Sequence, residues 1–216
     1  MISQRRRLRM EEVLKRKQPD LRLFLDNVYS SQNHSAILRS CDAVGLLGIY
    51  YAKNDDTPLK THGTITNGSE QWVRSRRIDY ADRVDFLRQK KQEGFHIVAA
   101  HLDDEAIDFR AYDFTEPTIL VLGNEMEGVS DVVLDTVDTT LVIPMMGMAQ
   151  SLNVSVATAV MLYEAQRQRE AAGMYATPQL SDEEIARIIE AWIHRDTIAK
   201  RSKGKVAMSG KLWLDW

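Results

Sequence analysis

The chain has 216 residues, of which 44% are hydrophobic, and a formal net charge of −3. This supplies one packed core of ordinary domain size. The sequence lacks both a run of about eighteen apolar residues and the apolar stretch of a secretory signal, which argues against membrane-spanning and exported classes and predicts a cytoplasmic protein with no membrane partner. The single cysteine, Cys41, excludes an internal disulfide, and the five histidines are not at metal-ligand spacing, so no metal site is expected.

The charge is unevenly distributed along the chain. Residues 1–22 contain eight Lys and Arg against three Asp and Glu, and residues 195–211 contain six against one, so each end carries +5. The intervening residues 23–194 carry −12. Basic ends on an acidic body are typical of a protein that holds a polyanion, because phosphate contacts supply the sequence-independent part of nucleic-acid affinity. A pair of solvated surface helices is the alternative.

Strands and helices alternate in the predicted secondary structure, which indicates an α/β fold with a mostly parallel sheet and helices on both faces. Strands are predicted at residues 21–25, 48–52, 95–102, 119–122 and 141–143, and helices at residues 3–17, 32–44, 82–93, 152–170 and 182–193. The chain is predicted to divide into a basic helical arm (1–19), an α/β core (20–172) and a basic helical extension (173–216).

A functional site is predicted where polar residues follow the strands. The side chains concerned come from three distant segments of the chain: Asn33 and Arg39, Asn124 and Glu125, and Ser151 and Asn153. In an open parallel sheet, the carboxyl ends of the strands form the crevice in which ligands bind. Taken singly, the same residues have structural explanations: Asn33 and Ser151 as helix caps, Arg39 as a surface charge, and Glu125 as a loop residue.

Common catalytic motifs are missing. The chain has neither a dinucleotide-binding G-x-G-x-x-G after a strand nor a phosphate loop, since the segment G-N-E-M-E-G lacks the required lysine. Ser151 has no glycine elbow and no neighbouring histidine, which argues against a hydrolase triad. Cys41 lies on the apolar face of its predicted helix and is expected to be structural rather than nucleophilic.

Three ordered motifs are similar to those of one family. The segments N-H-S-A-I-L-R-S-C-D-A-V-G (33–45), L-G-N-E-M-E-G-V-S (122–130) and I-P-M-M-G-M-A-Q-S-L-N-V-S-V-A (143–157) closely resemble the three motifs of the SpoU branch of the SPOUT methyltransferases. The likeness continues through the basic amino-terminal helix and the carboxyl-terminal extension, which resemble those of members that methylate guanosine 18 in the D-loop of tRNA. It covers nearly the whole chain.

The resemblance implies a deep trefoil knot in the carboxyl-terminal part of the core, an exception to unknotted topology. It also implies S-adenosylmethionine as the cofactor, held by main-chain groups of three loops, with no metal. The cofactor-binding residues that the family pattern assigns are Ala100, His101, Leu102, Leu122, Gly123, Asn124, Gly128, Ile143, Met145, Met148, Ser151 and Leu152. Apolar walls suit adenine, and glycines allow close approach of the backbone.

The family's chemistry is methyl transfer to a ribose 2′-hydroxyl. The catalytic set that the resemblance assigns is Arg39, Asn33, Glu125, Ser151 and Asn153. Arg39 assists as general base or by stabilising the developing alkoxide. Because an arginine is normally protonated far above neutral pH, the electrostatic role is favoured. The other four residues are expected to orient Arg39 and the ribose.

The resemblance also implies partners. It predicts a homodimer through the knot region, in which Arg39 could serve the partner's site, and tRNA as the nucleic-acid partner, with no DNA. The residues expected to hold tRNA phosphates are Arg5, Arg6, Arg7, Arg9, Arg16, Arg167, Arg169, Lys200, Arg201 and Lys203. The alternatives are a 2′-O-methyltransferase for ribosomal RNA or another tRNA position, a non-catalytic knotted RNA-binding protein, and a small-molecule α/β enzyme, which the basic ends disfavour.

Overall fold

The computed structural model describes residues 2–57 and 59–201, with side chains described as far as residue 195. The fold of the described residues is built on one seven-stranded sheet. Its paired strands are all parallel, in the order β3-β2-β1-β6-β4-β7-β5. The strands are β1 Leu21–Asp26, β2 Gly48–Ala52, β3 Arg74–Ile78, β4 His96–Ala100, β5 Ile107–Asp108, β6 Thr118–Leu122 and β7 Thr139–Val142. The predicted parallel α/β sheet is therefore confirmed.

Helices cover both faces of this sheet. They are α1 Gln4–Leu14, α2 Ser31–Ala43, α3 Gly63–Thr66, α4 Arg83–Gln92, α5 Asp131–Leu134, α6 Val154–Ala171 and α7 Asp182–Arg201. Side chains of a strand alternate between the two faces, so Leu23 and Leu25 enter a core with α2 and α6, whereas Phe24 enters a second core with α4 and α5. Burial on both faces explains why the central strands read as nearly continuous apolar runs.

The two ends of the described chain pack together. Met10 and Leu14 of α1 share a third apolar cluster with Ile185, Ile189 and Trp192 of α7. Helix α7 begins with the predicted capping box, in which Ser181 N–H donates to Glu184 Oε2 at 2.8 Å and Glu184 N–H donates to Ser181 Oγ at 3.2 Å. The division of the chain into arm, core and extension stays a prediction, as does the knot.

Two strands were not predicted from the sequence. Strand β3 has the sequence R-S-R-R-I and, among the described residues, pairs with β2 alone, at one edge of the sheet. Strand β5 is two residues long and forms the opposite edge. Edge strands are typically short or charged, which removes the apolar alternation on which a sequence-based prediction depends. Within the described chain, no helix is both long enough and apolar enough to cross a membrane.

Candidate active site at the carboxyl ends of the strands

A cavity of about 360 Å³ lies beyond the carboxyl ends of β4, β6 and β7. Its walls come from the loop after each of these strands and from the first turns of α6. The volume falls within the range of small-molecule sites. The predicted cofactor residues that line it are Ala100, His101, Leu102, Leu122, Gly123, Asn124, Gly128, Ile143, Met145, Ser151 and Leu152. Met148 is not among the lining residues and is fully exposed, so the structure does not bring it to the cavity.

The loop after β6 is closed at its base by a backbone crossing. A Cβ atom on Gly123 would lie 1.9 Å from the carbonyl carbon of Gly128, so the position requires glycine. Asn124 and Gly128 exchange two backbone hydrogen bonds of 3.1 Å. The side chain of Asn124 accepts further bonds from the N–H groups of Met126 and Glu127, at 2.8 and 2.7 Å. The tip of the loop, Glu125 to Glu127, is exposed, and these hydrogen bonds hold it in a defined shape.

The far end of this loop is tied to a buried carboxylate. Asp26, the last residue of β1, is fully buried, and its Oδ2 accepts hydrogen bonds from Ser130 N–H at 2.9 Å and Ser130 Oγ at 2.6 Å. Arg83 Nε lies 3.5 Å from Asp26 Oδ1 and balances its charge. Sequence reasoning did not single out Asp26 or Ser130. The acidic residue at a strand end was the available signal, but its partner lies 104 positions away.

Three polar side chains meet where Glu125 lines the mouth of the cavity, and Asn33 and Asn153 are joined to Glu125 through hydrogen bonds. Asn153 is the N-cap of α6, and its Oδ1 accepts bonds from Ser155 N–H at 2.9 Å and Ser155 Oγ at 2.6 Å. Its Nδ2 donates to Asn33 Oδ1 at 3.2 Å, and Asn33 Nδ2 donates to Glu125 Oε1. The side-chain amides of Asn153 and Asn33 therefore form a chain of amides, in which each donates to the next group and the last acceptor is the Glu125 carboxylate. The structure brings these three predicted residues together, and Asn153 rather than Ser151 is the helix cap.

Arg39 lies apart from this chain of amides. It follows Asn33 by six positions on α2, which is about 9 Å along the helix axis and about a third of a turn away around it. Its side chain is exposed, and Nη1 donates to the carbonyl of Ile65 at 3.4 Å. The hydrogen bonds of the described chain do not connect Arg39 to Asn33, Glu125, Ser151 or Asn153. The expectation that these residues orient Arg39 is therefore not met within a single chain.

A buried histidine supports the same helix. His34 is 1% exposed, and its Nε2 lies 3.0 Å from Ser75 Oγ. Burial lowers the pKa of His34 to about 4, which keeps the ring neutral at physiological pH. Next to it, Ser35 Oγ accepts the backbone N–H of His62 at 2.9 Å. The first contact attaches α2 to strand β3, and the second attaches it to the polar loop that contains Ile65.

The basic residues predicted to hold RNA occupy different environments. On or just after α1, Arg5, Arg7, Arg9 and Arg16 are exposed and Arg6 is half-buried. Two of these arginines form long ion pairs of 3.3 Å, Arg7 with Glu190 and Arg9 with Glu12. Arg167 on α6 is exposed and pairs with Glu164 at 2.7 Å. Lys200, Arg201 and Lys203 lie outside the residues whose side chains are described.

The prediction that Arg169 contacts RNA is wrong. The structure shows its side chain fully buried. It donates to the backbone carbonyls of Phe114 and Glu116, at 2.8 and 3.1 Å, and to Gln18 Oε1 at 3.1 Å, and it pairs with Asp20 at 2.5 Å. A charge that is satisfied on all sides in the interior is structural. Arg167 and Arg169 are two positions apart, which places them on nearly opposite sides of α6.

Within the described residues, no cluster of His, Cys, Asp and Glu could hold a metal ion. The cavity suits an organic cofactor instead. Leu122, Ile143, Leu152 and Met161 provide apolar walls, and the crossing at Gly123 brings main-chain groups to the cavity surface. These are the properties that S-adenosylmethionine requires, namely an apolar bed for adenine and backbone donors and acceptors for its polar atoms.

Comparisons with known proteins agree with this arrangement. The sequence profile of the SpoU rRNA methylase family matches residues 20–163, and that of the SpoU rRNA methylase carboxyl-terminal region matches residues 167–205. The chain is 48% identical over 203 residues to the tRNA (guanosine(18)-2′-O)-methyltransferase of Aquifex aeolicus, covering 94% of this chain and 95% of that protein.

Two solved structures are also similar. The crystal structure of the A. aeolicus TrmH/SpoU tRNA modifying enzyme has a TM-score of 0.85 and 49% identity, covering 89% of this chain and 96% of that one. The SpoU methyltransferase AviRb from Streptomyces viridochromogenes, in complex with the cofactor AdoMet, has a TM-score of 0.63 and 30% identity, covering 71% of this chain and 62% of that one.

Proposed function

Because this chain belongs to the SpoU rRNA methylase family, we propose that it transfers a methyl group from S-adenosylmethionine to the ribose 2′-hydroxyl of guanosine 18 in tRNA. The observation that carries the proposal is the cavity at the strand ends, with the polar residues Asn33, Glu125 and Asn153 joined at its mouth. The similarity to the A. aeolicus tRNA (guanosine(18)-2′-O)-methyltransferase, over nearly the full length of both chains, supports the choice of acceptor.

When bound, S-adenosylmethionine supplies an electrophilic methyl group on a positively charged sulfur. The residues of the chain then have two tasks, to hold the acceptor hydroxyl in line with that methyl group and to favour loss of its proton. Glu125, fixed by Asn33, presents a carboxylate at the cavity mouth that can accept a ribose hydroxyl bond. The guanidinium of Arg39 stabilises the developing alkoxide and positions the neighbouring phosphate, as a fixed positive charge does at an oxyanion.

A homodimer belongs to the same proposal. Val156, Val160 and Tyr163 are 47%, 37% and 53% exposed on α6, at spacings that place them on one face. Met146 and Met148 of the preceding loop are 93% and 100% exposed. An apolar stripe beside the cavity supports pairing with a second copy through this region. In such a dimer Arg39 serves the partner's site, which accounts for its separation from the amide chain in its own subunit.

Binding of tRNA by the basic arm is the third element. The exposed arginines Arg5, Arg7, Arg9 and Arg16 occupy α1 and the residue pair that follows it. Contacts with phosphates release counterions, so affinity for tRNA falls steeply as the salt concentration rises.

The proposal includes a reducing cytoplasmic compartment. It is supported by the single cysteine, Cys41, which is a free, buried thiol.

The test is methyl transfer from labelled S-adenosylmethionine to an unmodified tRNA transcript, with the methylated nucleoside mapped. Label at the 2′-oxygen of guanosine 18 is expected, and Arg39→Ala should lower the rate at least a hundredfold while the exposed control Arg88→Ala leaves it unchanged. A parallel reaction offers unmodified ribosomal RNA, and label appearing only there or at another tRNA position would identify the alternative methyltransferases. Full activity of Arg39→Ala would contradict the assigned role.

A second test concerns the arm. Replacing Arg5, Arg7 and Arg9 by glutamine should weaken tRNA binding and reduce the slope of log affinity against log salt, with S-adenosylmethionine affinity unchanged. The matched control is Arg88→Gln, an exposed arginine on α4, far from α1 in sequence. An unchanged salt slope in the triple variant would remove α1 from the RNA interface.

A further inference from the structure

A second depression, of about 390 Å³, shares a wall with the cofactor cavity. It is lined by Tyr29, Ser30, Asn124, Glu125, Met126 and Glu127. Residues 124–127 line both spaces, so the tip of the loop after β6 separates them. Glu125, which meets Asn33 at the cavity mouth, belongs to this partition. A ligand whose reacting group lies at Glu125 could therefore extend into the depression.

Tyr29 presents an exposed aromatic ring in this depression. The residue is 43% exposed, yet its hydroxyl accepts a hydrogen bond from Asn27 Nδ2 at 2.5 Å, and Lys53 Nζ lies 5.7 Å from the ring centroid. Asn27 and Lys53 are each only 5% exposed. Buried residues thus hold an exposed ring in one orientation, which lowers the entropy lost when a ligand stacks on it.

The supports of the ring are themselves fixed. Asn27 Oδ1 accepts the backbone N–H of Asn54 at 3.1 Å. Lys53 Nζ donates to the Thr57 hydroxyl at 2.9 Å and pairs with Asp55 at 3.1 Å. None of these three contacts involves the cofactor cavity, so the cavity does not account for this arrangement of supports. Exposed aromatic rings with fixed orientation are the platforms on which single-stranded RNA bases stack.

Glu127 adds a carboxylate to the same depression. Its contact within the described chain is a long hydrogen bond of 3.4 Å from Asn124 Nδ2. The Watson–Crick edge of guanine carries two adjacent donors, N1–H and the 2-amino group, which match the two oxygens of a carboxylate. Adenine carries an acceptor at N1, which a carboxylate repels. Glutamine has the complementary pattern for adenine, because its amide both donates and accepts.

We propose that this depression, with Tyr29 as stacking platform and Glu127 as reader of the Watson–Crick edge, binds the guanine base of the nucleotide whose ribose is methylated. The assignment rests on the proposed function. The base is attached to the carbon adjacent to the one that bears the acceptor hydroxyl. A ribose held at Glu125 therefore places its base within a few ångströms, and the depression lies beside Glu125 on the side away from the cofactor cavity.

The experiment compares single-turnover methylation of tRNA transcripts carrying guanosine, inosine or adenosine at position 18. The variants are Tyr29→Ala, Tyr29→Phe and Glu127→Gln, with Glu105→Gln as the matched control at an exposed glutamate outside the depression. Calorimetric S-adenosylmethionine affinity is measured for each. Tyr29→Ala should lose at least tenfold in the single-turnover rate at subsaturating enzyme, whereas Tyr29→Phe keeps most of this rate because the ring remains.

Glu127→Gln should reduce the preference for guanosine over adenosine at least tenfold, with a smaller loss for inosine, which keeps N1–H but lacks the 2-amino donor. Cofactor affinity should stay within twofold of wild type in every variant, which separates loss of base binding from collapse of the loop. A wild type active on guanosine 18, with Tyr29→Ala and Glu127→Gln behaving like Glu105→Gln, overturns the subsite alone. A wild type inactive on every transcript overturns the proposed function and the subsite with it.

Discussion

The two ends of the parallel sheet treat their charged and polar side chains in opposite ways. At the amino ends, Lys17 and Arg169 are fully buried, and each is satisfied by carbonyl and carboxylate oxygens. At the carboxyl ends, Glu125 and Glu127 are exposed and have few partners. A charged group whose hydrogen-bonding positions are all occupied stabilises the fold, whereas one with few partners can still bind a ligand. The buried charges are therefore structural, as is Asp26 at the end of β1, whereas the exposed carboxylates of the loop after β6 remain available for function.

The largest effect that tests this contrast is expected at Arg169. Arg169→Ala removes one partner of a buried pair and leaves Asp20 and two carbonyls without their donor, so the free energy of unfolding should fall by about 3–5 kcal/mol. Arg167→Ala, at the exposed neighbour on the same helix, should cost less than about 1 kcal/mol. Urea denaturation of both variants measures this. Equal losses would contradict the assignment of Arg169 as structural.

The pH dependence of stability tests the support beneath the active site. The pKa of His34 is lowered to about 4 in the folded protein, from about 6.5 in an unfolded chain. Because the folded pKa is depressed, the stabilisation is fully present above pH 6.5 and is lost as the pH falls from 6.5 towards 4. The loss should reach about 3 kcal/mol.

His34→Gln provides the comparison, since glutamine can still bond to Ser75 but does not titrate. The difference in unfolding free energy between wild type and variant should narrow as the pH falls through this window. A difference that stays constant from pH 7 to pH 4 would show that His34 does not titrate with an altered pKa.

Gly123→Ala tests whether the loop crossing determines the cofactor cavity. Its Cβ would overlap the backbone of Gly128, so the loop must open, and S-adenosylmethionine affinity should fall at least a hundredfold. This corresponds to about 2.7 kcal/mol. Gly63→Ala is the control, because a Cβ there meets no atom within 4 Å. Calorimetry measures the S-adenosylmethionine affinity of both variants. Wild-type affinity in Gly123→Ala would show that cofactor binding does not require the backbone crossing.

The smallest effect is expected at the tie between Asp26 and Ser130. Ser130→Ala removes one short hydrogen bond to a buried carboxylate and should cost about 1–2 kcal/mol. Thr136→Val removes a comparable buried bond, of 2.7 Å to the Val133 carbonyl, outside the loop. Amide hydrogen exchange of residues 124–128 should accelerate in Ser130→Ala and not in Thr136→Val. Identical exchange in the two variants would mean that the tie does not hold the loop.

Much of this fold could be predicted from local sequence patterns. The central strands are apolar runs, and α7 begins at a capping box that is visible as Ser181 and Glu184. The location of the cavity also followed, because polar residues placed directly after buried strands must lie at the carboxyl edge of a parallel sheet. The edge strands β3 and β5 could not be predicted, since neither carries an apolar alternation.

The α/β alternation, the family likeness and the segments that line the cavity can all be read from the amino-acid sequence. The partners that satisfy the buried charges can be identified only from the folded chain. Helical spacing places Arg167 and Arg169 on opposite sides of α6, but the partner that balances the buried charge of Arg169 is Asp20, 149 positions away. The same holds for the contacts between Asp26 and Ser130 and between Gly123 and Gly128. Such contacts depend on how the sheet brings remote segments together, and local sequence patterns do not indicate which remote segments will meet.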